Sequence, residues 1–155
     1  MTKEELQQKI QNAKIGAIDL TSEEDLALAV MNLIAIEEHL FFTHEKTGNG
    51  EYLSTLNEIR AMRKELMAKM ITQYEGETWC TCKHLLSATM RLQEVGTKAL
   101  AENNVYTAKD AFDKAYRLFN IFWALRLKLI ELPKQENKPL TVGDIMNQMI
   151  NCCDE

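Results

Sequence analysis

The hydrophobic residues of this chain recur at the three- to four-residue spacing of amphipathic helices. Leu6, Ile10, Ala13 and Ala17 mark one face of a first helix. A second helix is expected to begin close to residue 21, because Thr21 with Glu24, or Ser22 with Asp25, fits the capping-box pattern.

The second predicted helix runs to about His44 and is apolar on nearly all sides from Leu26 to Ile36. Such a pattern is typical of a helix surrounded by others in a bundle core. Residues 46–50, Lys-Thr-Gly-Asn-Gly, form a turn, because glycine and asparagine accept the left-handed backbone that ends a helix. We therefore expect this to be the central helix of the fold.

Three more long helices are predicted downstream. The first runs from Tyr52 to a break at Tyr74-Glu75-Gly76. The second follows Thr78, its predicted N-cap, and ends at a break at Asn103-Asn104, and the third covers roughly Tyr106 to Glu131. Their apolar faces carry Leu56, Ile59 and Leu66, then Leu85, Ala88, Leu92 and Val95, then Ala108, Phe112, Ala115, Phe119, Phe122 and Leu129. The sequence predicts an all-α fold, an up-and-down helical bundle of four to five helices spanning residues 1–132. A proline-bounded linker, 133–140, would lead to a short C-terminal helix or tail, 141–155, with Val142, Ile145 and Met149 on one face.

Composition narrows the class of protein. At 155 residues, 46% hydrophobic and 26% charged, the chain is expected to form one globular domain. Its net charge of −5 disfavours nucleic acid as a partner. The N-terminus lacks a signal-peptide pattern, and the apolar stretch Leu26–Ile36 is interrupted by Asn32 and shorter than the ~20 residues that span a bilayer. We expect a soluble, cytoplasmic protein without a membrane segment.

The sequence has four cysteines, which we expect to be reduced thiols in a chain without an export signal. They are Cys80, Cys82, Cys152 and Cys153. A bridge within either pair would close almost no loop and would remove little entropy from the unfolded chain.

Small and apolar residues follow a regular order in the segment from Leu92 to Asn120: Val95-Gly96, Ala99, Ala108, Phe112 and Ala115. This order resembles one tetratricopeptide repeat, although Ala99 replaces an aromatic residue, Leu92 a tryptophan and Asn120 a proline. The physical basis would be close helix packing over the small residues, with Phe112 filling the gap. No second copy follows at the 34-residue period, which argues against a solenoid. The resemblance implies a helical hairpin with a protein-binding role.

Carboxylates and histidines crowd the end of the second helix: Glu37, Glu38, His39, His44 and Glu45. Glu37 is in register with Val30, Leu33 and Leu40, so its carboxylate should be partly buried and would need a partner. Arg63 or Arg91 could supply an ion pair. The alternatives are exposure at the helix end or a ligand-binding role. His39 and His44 point about 140° apart and could not easily hold one ion.

Cys80 and His84 are four residues apart on one helix and could chelate a soft ion such as zinc. A glutamate, Cys152 or Cys153 would have to complete that site. Alternatively, Cys80 is a reactive thiol with His84 as its base, or both residues merely pack. No complete zinc framework is present, so we expect no cofactor, with zinc or another transition metal as the alternative.

Two further polar groups are interpreted as solvated helix faces. One is the stripe His84, Ser87, Arg91, Glu94 and Lys98; the other is the basic group Arg60, Arg63 and Lys64. The sequence thus favours a non-enzymatic module that binds a protein partner or itself. The alternative is a small-ligand- or metal-dependent enzyme with a polar site at the end of the second helix. It would use Glu37, Glu38, His84 and Cys80, with Arg91 orienting an anionic group.

Overall fold

The structure, a computed structural model, describes residues 2–15, 19–71, 77–132 and 141–149. All regular structure in these ranges is helical, which confirms the predicted all-α bundle. The helices are α1 (Lys3–Ile15), α2 (Leu20–Thr47), α3 (Glu51–Met70), α4 (Thr78–Ala101), α5 (Val105–Arg126) and α6 (Val142–Met149).

Four of these helices form two hairpins, α2–α3 and α4–α5, and α2 also packs along α4. The α2–α3 turn lies at the predicted position. Gly48 adopts a left-handed backbone with φ 68°, and its N–H donates to the carbonyl of His44 at 2.7 Å. This conformation favours glycine because a Cβ would be strained there.

The α4–α5 turn confirms the predicted break at Asn103 and Asn104. Asn103 is left-handed with φ 60°, and the Asn104 N–H donates to the Ala99 carbonyl at 2.8 Å, which closes α4 in a Schellman motif. The Asn104 side chain then accepts from the Thr107 N–H at 3.1 Å and caps α5. Two adjacent asparagines therefore end one helix and begin the next.

Several predicted helix ends are wrong. α2 begins at Leu20, with Asp19 as its N-cap, instead of at a Thr21 or Ser22 capping box. Asp19 accepts from the Thr21 N–H at 3.1 Å and from the Ser22 hydroxyl at 2.6 Å, and these hydrogen bonds lower the pKa of Asp19. Thr78 is the first residue of α4 and not its N-cap.

α5 ends at Arg126, earlier than the predicted Glu131. Lys128 is left-handed with φ 54°, and the Leu129 N–H donates to the Ala124 carbonyl at 2.8 Å. This is a second Schellman motif, with a lysine where glycine is usual, so residue type alone does not predict it.

The core lies at one end of the two hairpins. Its buried residues come from the start of α2, the end of α3, the start of α4 and the end of α5. They are Ala27, Val30, Met31, Met67, Met70, Ile71, Trp79, Cys80, Cys82, Leu86, Phe122 and Leu125. The hairpin turns at residues 48–50 and 102–104 therefore lie away from the core.

Small residues bring α4 and α5 together outside this core. Ala99, Ala108 and Ala115 are buried, and a Cβ added to Gly96 would lie 2.4 Å from Cε1 of Phe112. The close packing predicted for this hairpin is present, although Phe112 keeps 36% of its surface exposed. Kinship with tetratricopeptide repeats remains a prediction.

The prediction that α2 is enclosed on all sides is wrong. Its fully buried residues are Ala27, Val30 and Met31, whereas Leu28 and Ile36 are 38% and 41% exposed. Only α3 and α4 pack extensively against α2, so part of its circumference faces solvent. By length and composition α2 is also the one described helix that could cross a bilayer, a test that a core helix can pass as well.

The structure describes the predicted linker and C-terminal segment only in part. The predicted linker 133–140 lies outside the described residues, as do the predicted break at 74–76, Ala17, Cys152 and Cys153. α6 is present, and it exposes 78% of Val142, 48% of Ile145 and 47% of Met146.

Candidate functional site

Three glutamates on α2 each pair with an arginine from a different helix. Glu23 meets Arg126 of α5, Glu37 meets Arg63 of α3, and Glu38 meets Arg91 of α4. The three arginines come from α3, α4 and α5, so ion pairs join α2 to each of the other long helices.

The Glu37–Arg63 pair has the geometry of a structural contact. Nε of Arg63 donates to Oε1 of Glu37 at 2.8 Å, and Nη2 donates to Oε2 at 3.1 Å. The exposed fractions of the two side chains are 2% for Arg63 and 15% for Glu37. A bidentate, largely buried pair holds both charges fixed. The partly buried carboxylate expected at Glu37 is therefore present, with Arg63 as its partner.

This pair also corrects the interpretation of the basic group on α3. Arg63 was expected on a solvated face with Arg60 and Lys64, but it is among the largest fully buried side chains of the described fold. Its position in α3 is one turn before Met67, which is also fully buried. The spacing of Arg63 along α3 fits both a face turned toward α2 and a solvated face. The packing of the helices buries Arg63.

The second pair, Glu23–Arg126, joins the start of α2 to the end of α5. Nε and Nη2 of Arg126 lie 3.0 and 2.9 Å from Oε2 of Glu23. Nearby, burial raises the pKa of the Cys82 thiol from 9.0 to about 11, although the positive charge of Arg126 acts in the opposite direction. Cys82 is thus a protonated core residue at neutral pH and a poor nucleophile.

The third pair is the most exposed. Nη1 of Arg91 lies 3.5 Å from Oε1 of Glu38, and the side chains are 48% and 37% exposed. His84, two turns before Arg91 on α4, is exposed as well. Glu38 and Arg91 therefore form a solvated ion pair at the surface, and the exposed His84 shares the α4 face of Arg91.

The proposed Cys80–His84 site is split between two environments. Cys80 is buried with 6% exposure, whereas His84 is exposed. Among the described residues no group of three or more His, Cys, Asp or Glu side chains could hold a metal ion. Cys152 and Cys153 lie outside those residues, so the expectation of no cofactor is untested.

The two histidines near the end of α2 also differ. His39 is exposed, whereas Nδ1 of His44 lies 3.0 Å from the carbonyl oxygen of Asn49. His44 thereby helps to hold the turn between α2 and α3, which is a structural role.

An apolar surface at the turn end of the α2–α3 hairpin was missed by the sequence analysis. Val30, Glu37 and Phe41 share one α2 face, and Phe41 is 46% exposed although Val30 is fully buried. Phe42, 51% exposed, contacts Phe41 edge-on with ring centroids 5.2 Å apart. The stripe that fills the core therefore continues past the edge of the core, where Phe41 and Phe42 are about half exposed.

On α3, too, the face that is buried in the core continues into an exposed apolar residue near the turn. Leu53 lies two heptads before the fully buried Met67, on the same face, and is 40% exposed. We call Phe41, Phe42 and Leu53 the hairpin-tip surface. The sequence patterns of α2 and α3 do not reveal this surface, because they do not show at which residues the core ends.

Comparison with known protein families, with curated proteins and with solved structures finds no match to this chain.

Proposed function

We propose that this chain is a non-enzymatic helical module that binds another polypeptide through the hairpin-tip surface. The observation that carries the proposal is the exposure of Phe41, Phe42 and Leu53 on core-facing stripes of two paired helices. Aromatic side chains, phenylalanine among them, are enriched in protein interfaces, which favours Phe41 and Phe42 as the anchors.

The charged residues support this choice over an enzyme. Glu37 and Arg63 satisfy each other in a bidentate contact, and Glu38 is paired with Arg91. A general acid or base must reach its substrate and exchange a proton with it. Glu37 instead accepts two hydrogen bonds from Arg63. The ion pairs fix α2 against its neighbours and so hold the hairpin that presents the apolar tip.

The ion pairs of α2 argue against a membrane-spanning role for this helix. Glu23, Glu37 and Glu38 are distributed along it, and each is paired with an arginine of the same chain. Insertion of α2 alone would separate these pairs and expose their charges to lipid, which is costly. We accordingly propose a partner that is a protein, with neither lipid nor nucleic acid as its ligand, in a cytoplasmic setting.

The test is partner capture with the full chain and two double variants. Phe41→Asp with Phe42→Asp should abolish capture of any partner that wild type retains, while Phe41→Leu with Phe42→Leu should keep it, because leucine preserves an apolar surface. His84→Ala with Arg91→Ala serves as the polar comparison and should leave capture intact. If the polar variant loses the partner and the aspartate variant keeps it, the proposal is wrong.

A further inference from the structure

The turn between α2 and α3 contains the dipeptide Asn49-Gly50, and no other asparagine of the sequence precedes a glycine. Both residues are exposed. Asparagine is a thermolabile residue, because the backbone nitrogen that follows it can attack its side-chain amide carbon. Glycine obstructs this attack least, since it has no Cβ and restricts the backbone little.

Both oxygens of Asn49 have hydrogen-bond donors in place. Nδ1 of His44 lies 3.0 Å from the backbone carbonyl oxygen of Asn49, and Nδ1 carries the proton because a carbonyl oxygen only accepts. The Glu51 N–H, in the first turn of α3, donates to Oδ1 of Asn49 at 2.9 Å. Donors in these positions stabilise negative charge that develops on either oxygen.

The backbone nitrogen of Gly50 is the nucleophile for this attack, and it is accessible. Its N–H donates no hydrogen bond to any residue that the structure describes, so no bond has to break before it reacts. Gly50 is the N-cap of α3, and a Cβ built on it would meet nothing within 4 Å. The nitrogen and the amide carbon of Asn49 belong to adjacent residues, which makes the reaction intramolecular.

We infer that Asn49 is a site of spontaneous deamidation in the folded chain, and that His44 accelerates the reaction. The Gly50 N–H gives its proton to solvent, and the negative charge moves onto the Asn49 carbonyl oxygen that His44 contacts. The nitrogen then bonds to Cγ of Asn49, and the charge passes to Oδ1. The bond between Cγ and Nδ2 breaks, and ammonia leaves after Nδ2 takes a proton from solvent. Asn49 and Gly50 remain joined in a cyclic succinimide.

Water completes the reaction by adding to one carbonyl carbon of the succinimide. Breaking the new bond to Cγ gives aspartate, and breaking the original peptide bond gives isoaspartate. One water is consumed and one ammonia is released, so each product adds one negative charge to a chain of net charge −5. The charge appears in the turn that joins the two helices of the hairpin-tip surface, and the reaction does not depend on the proposed function of that surface.

Asn104 provides an internal control in the turn between α4 and α5. It is also exposed, and its Oδ1 also accepts from a backbone N–H, that of Thr107 at 3.1 Å. Asn104 precedes Val105, whose branched side chain stiffens the backbone and crowds the attacking nitrogen. Asn104 should therefore stay intact under conditions in which Asn49 reacts.

Mass spectrometry of digests, after incubation of the full folded chain in neutral buffer for several weeks, tests the inference. The peptide that contains Asn49 should be converted to aspartate and isoaspartate about tenfold faster than the peptide that contains Asn104, or more. Ion exchange of the intact chain should show a new, more acidic species that elutes with the Asn49→Asp variant or close to it.

Two variants separate the contributions of Gly50 and His44. Gly50→Ala should slow the reaction about tenfold, and the fold accepts alanine because Gly50 has φ −66° and open space at Cβ. His44→Phe keeps a planar ring without the donor and should slow the reaction about threefold to tenfold, which corresponds to one hydrogen bond. His44→Gln retains a side-chain N–H and should react faster than His44→Phe. Circular dichroism should show unchanged helicity in each variant.

The urea-unfolded chain gives the reference for the contradicting results. Equal rates at Asn49 and Asn104 in the folded chain would overturn the modification site, as would an intact Asn49 at a time when the unfolded chain has fully reacted. A His44→Phe variant that reacts as fast as wild type would overturn the role of His44.

Discussion

Replacement of Arg63 by methionine would leave the Glu37 carboxylate without its bidentate partner in a largely buried position. Arg63 is 2% exposed and Glu37 is 15% exposed, so water can replace few of the lost hydrogen bonds. Removal of one partner of a buried pair costs about 3–5 kcal/mol. Because Glu37 keeps some contact with solvent, we expect about 3 kcal/mol for this variant.

The matched control is Arg91→Met. Its pair with Glu38 is longer, at 3.5 Å, and both side chains are more than one-third exposed. Exposed ion pairs contribute about 0.2–1 kcal/mol, so this variant should lose less than 1 kcal/mol. The contrast between two arginines that face the same helix isolates the effect of burial.

Urea unfolding followed by circular dichroism gives both values, and Glu37→Leu completes a double-mutant cycle. The double variant should be more stable than the sum of the single losses implies, by about 1–3 kcal/mol, because it leaves no unpaired charge. Equal losses for Arg63→Met and Arg91→Met, or additivity in the cycle, would refute the structural role of this pair.

Three further predictions concern packing, titration and capping. Gly96→Ala should destabilise by about 1–2 kcal/mol in thermal or urea unfolding, because its Cβ would strike the Phe112 ring; a gain of about 1 kcal/mol, as alanine gives in an open helix, would contradict this packing. The raised pKa of Cys82, about 11, means that its contribution to stability is complete below pH 9 and is lost as the pH rises to 11. Wild type should therefore lose about 2 kcal/mol relative to Cys82→Val between pH 8 and pH 11 in urea unfolding, and parallel pH curves would oppose it. Asn104→Ala should cost about 1 kcal/mol of unfolding free energy through loss of the α5 cap at the Thr107 N–H, and an unchanged midpoint would show that the cap is dispensable.

The helices and their turns were predictable because local chemistry specifies them. Gly48 and the pair Asn103–Asn104 end helices through backbone conformations that few other residues accept. The end of α5 was not predictable, because Lys128 takes a left-handed conformation that its residue type does not favour. The start of α2 shows a smaller error, since Asp19, Thr21 and Ser22 could each have capped this helix.

The candidate site was only partly predictable. The register of Glu37 with Val30 located a carboxylate that needed a partner, and the structure supplies Arg63. Arg63 is buried although a solvated face was predicted for it, and α2 is partly exposed although an enclosed helix was predicted. Both errors have one cause. Periodicity reports how apolar a face is, whereas burial depends on which helices cover it. The hairpin-tip surface follows from the end of the core, which is a property of tertiary packing.

Hydrogen exchange of the chain, free and bound to a captured partner, shows which helices the partner covers. We expect slowed exchange at the ends of α2 and α3 that meet at the 48–50 turn, around Phe41, Phe42 and Leu53, with no change around His84 and Arg91. If slowed exchange is confined to the α4 segment that carries His84 and Arg91, the partner does not bind the hairpin-tip surface.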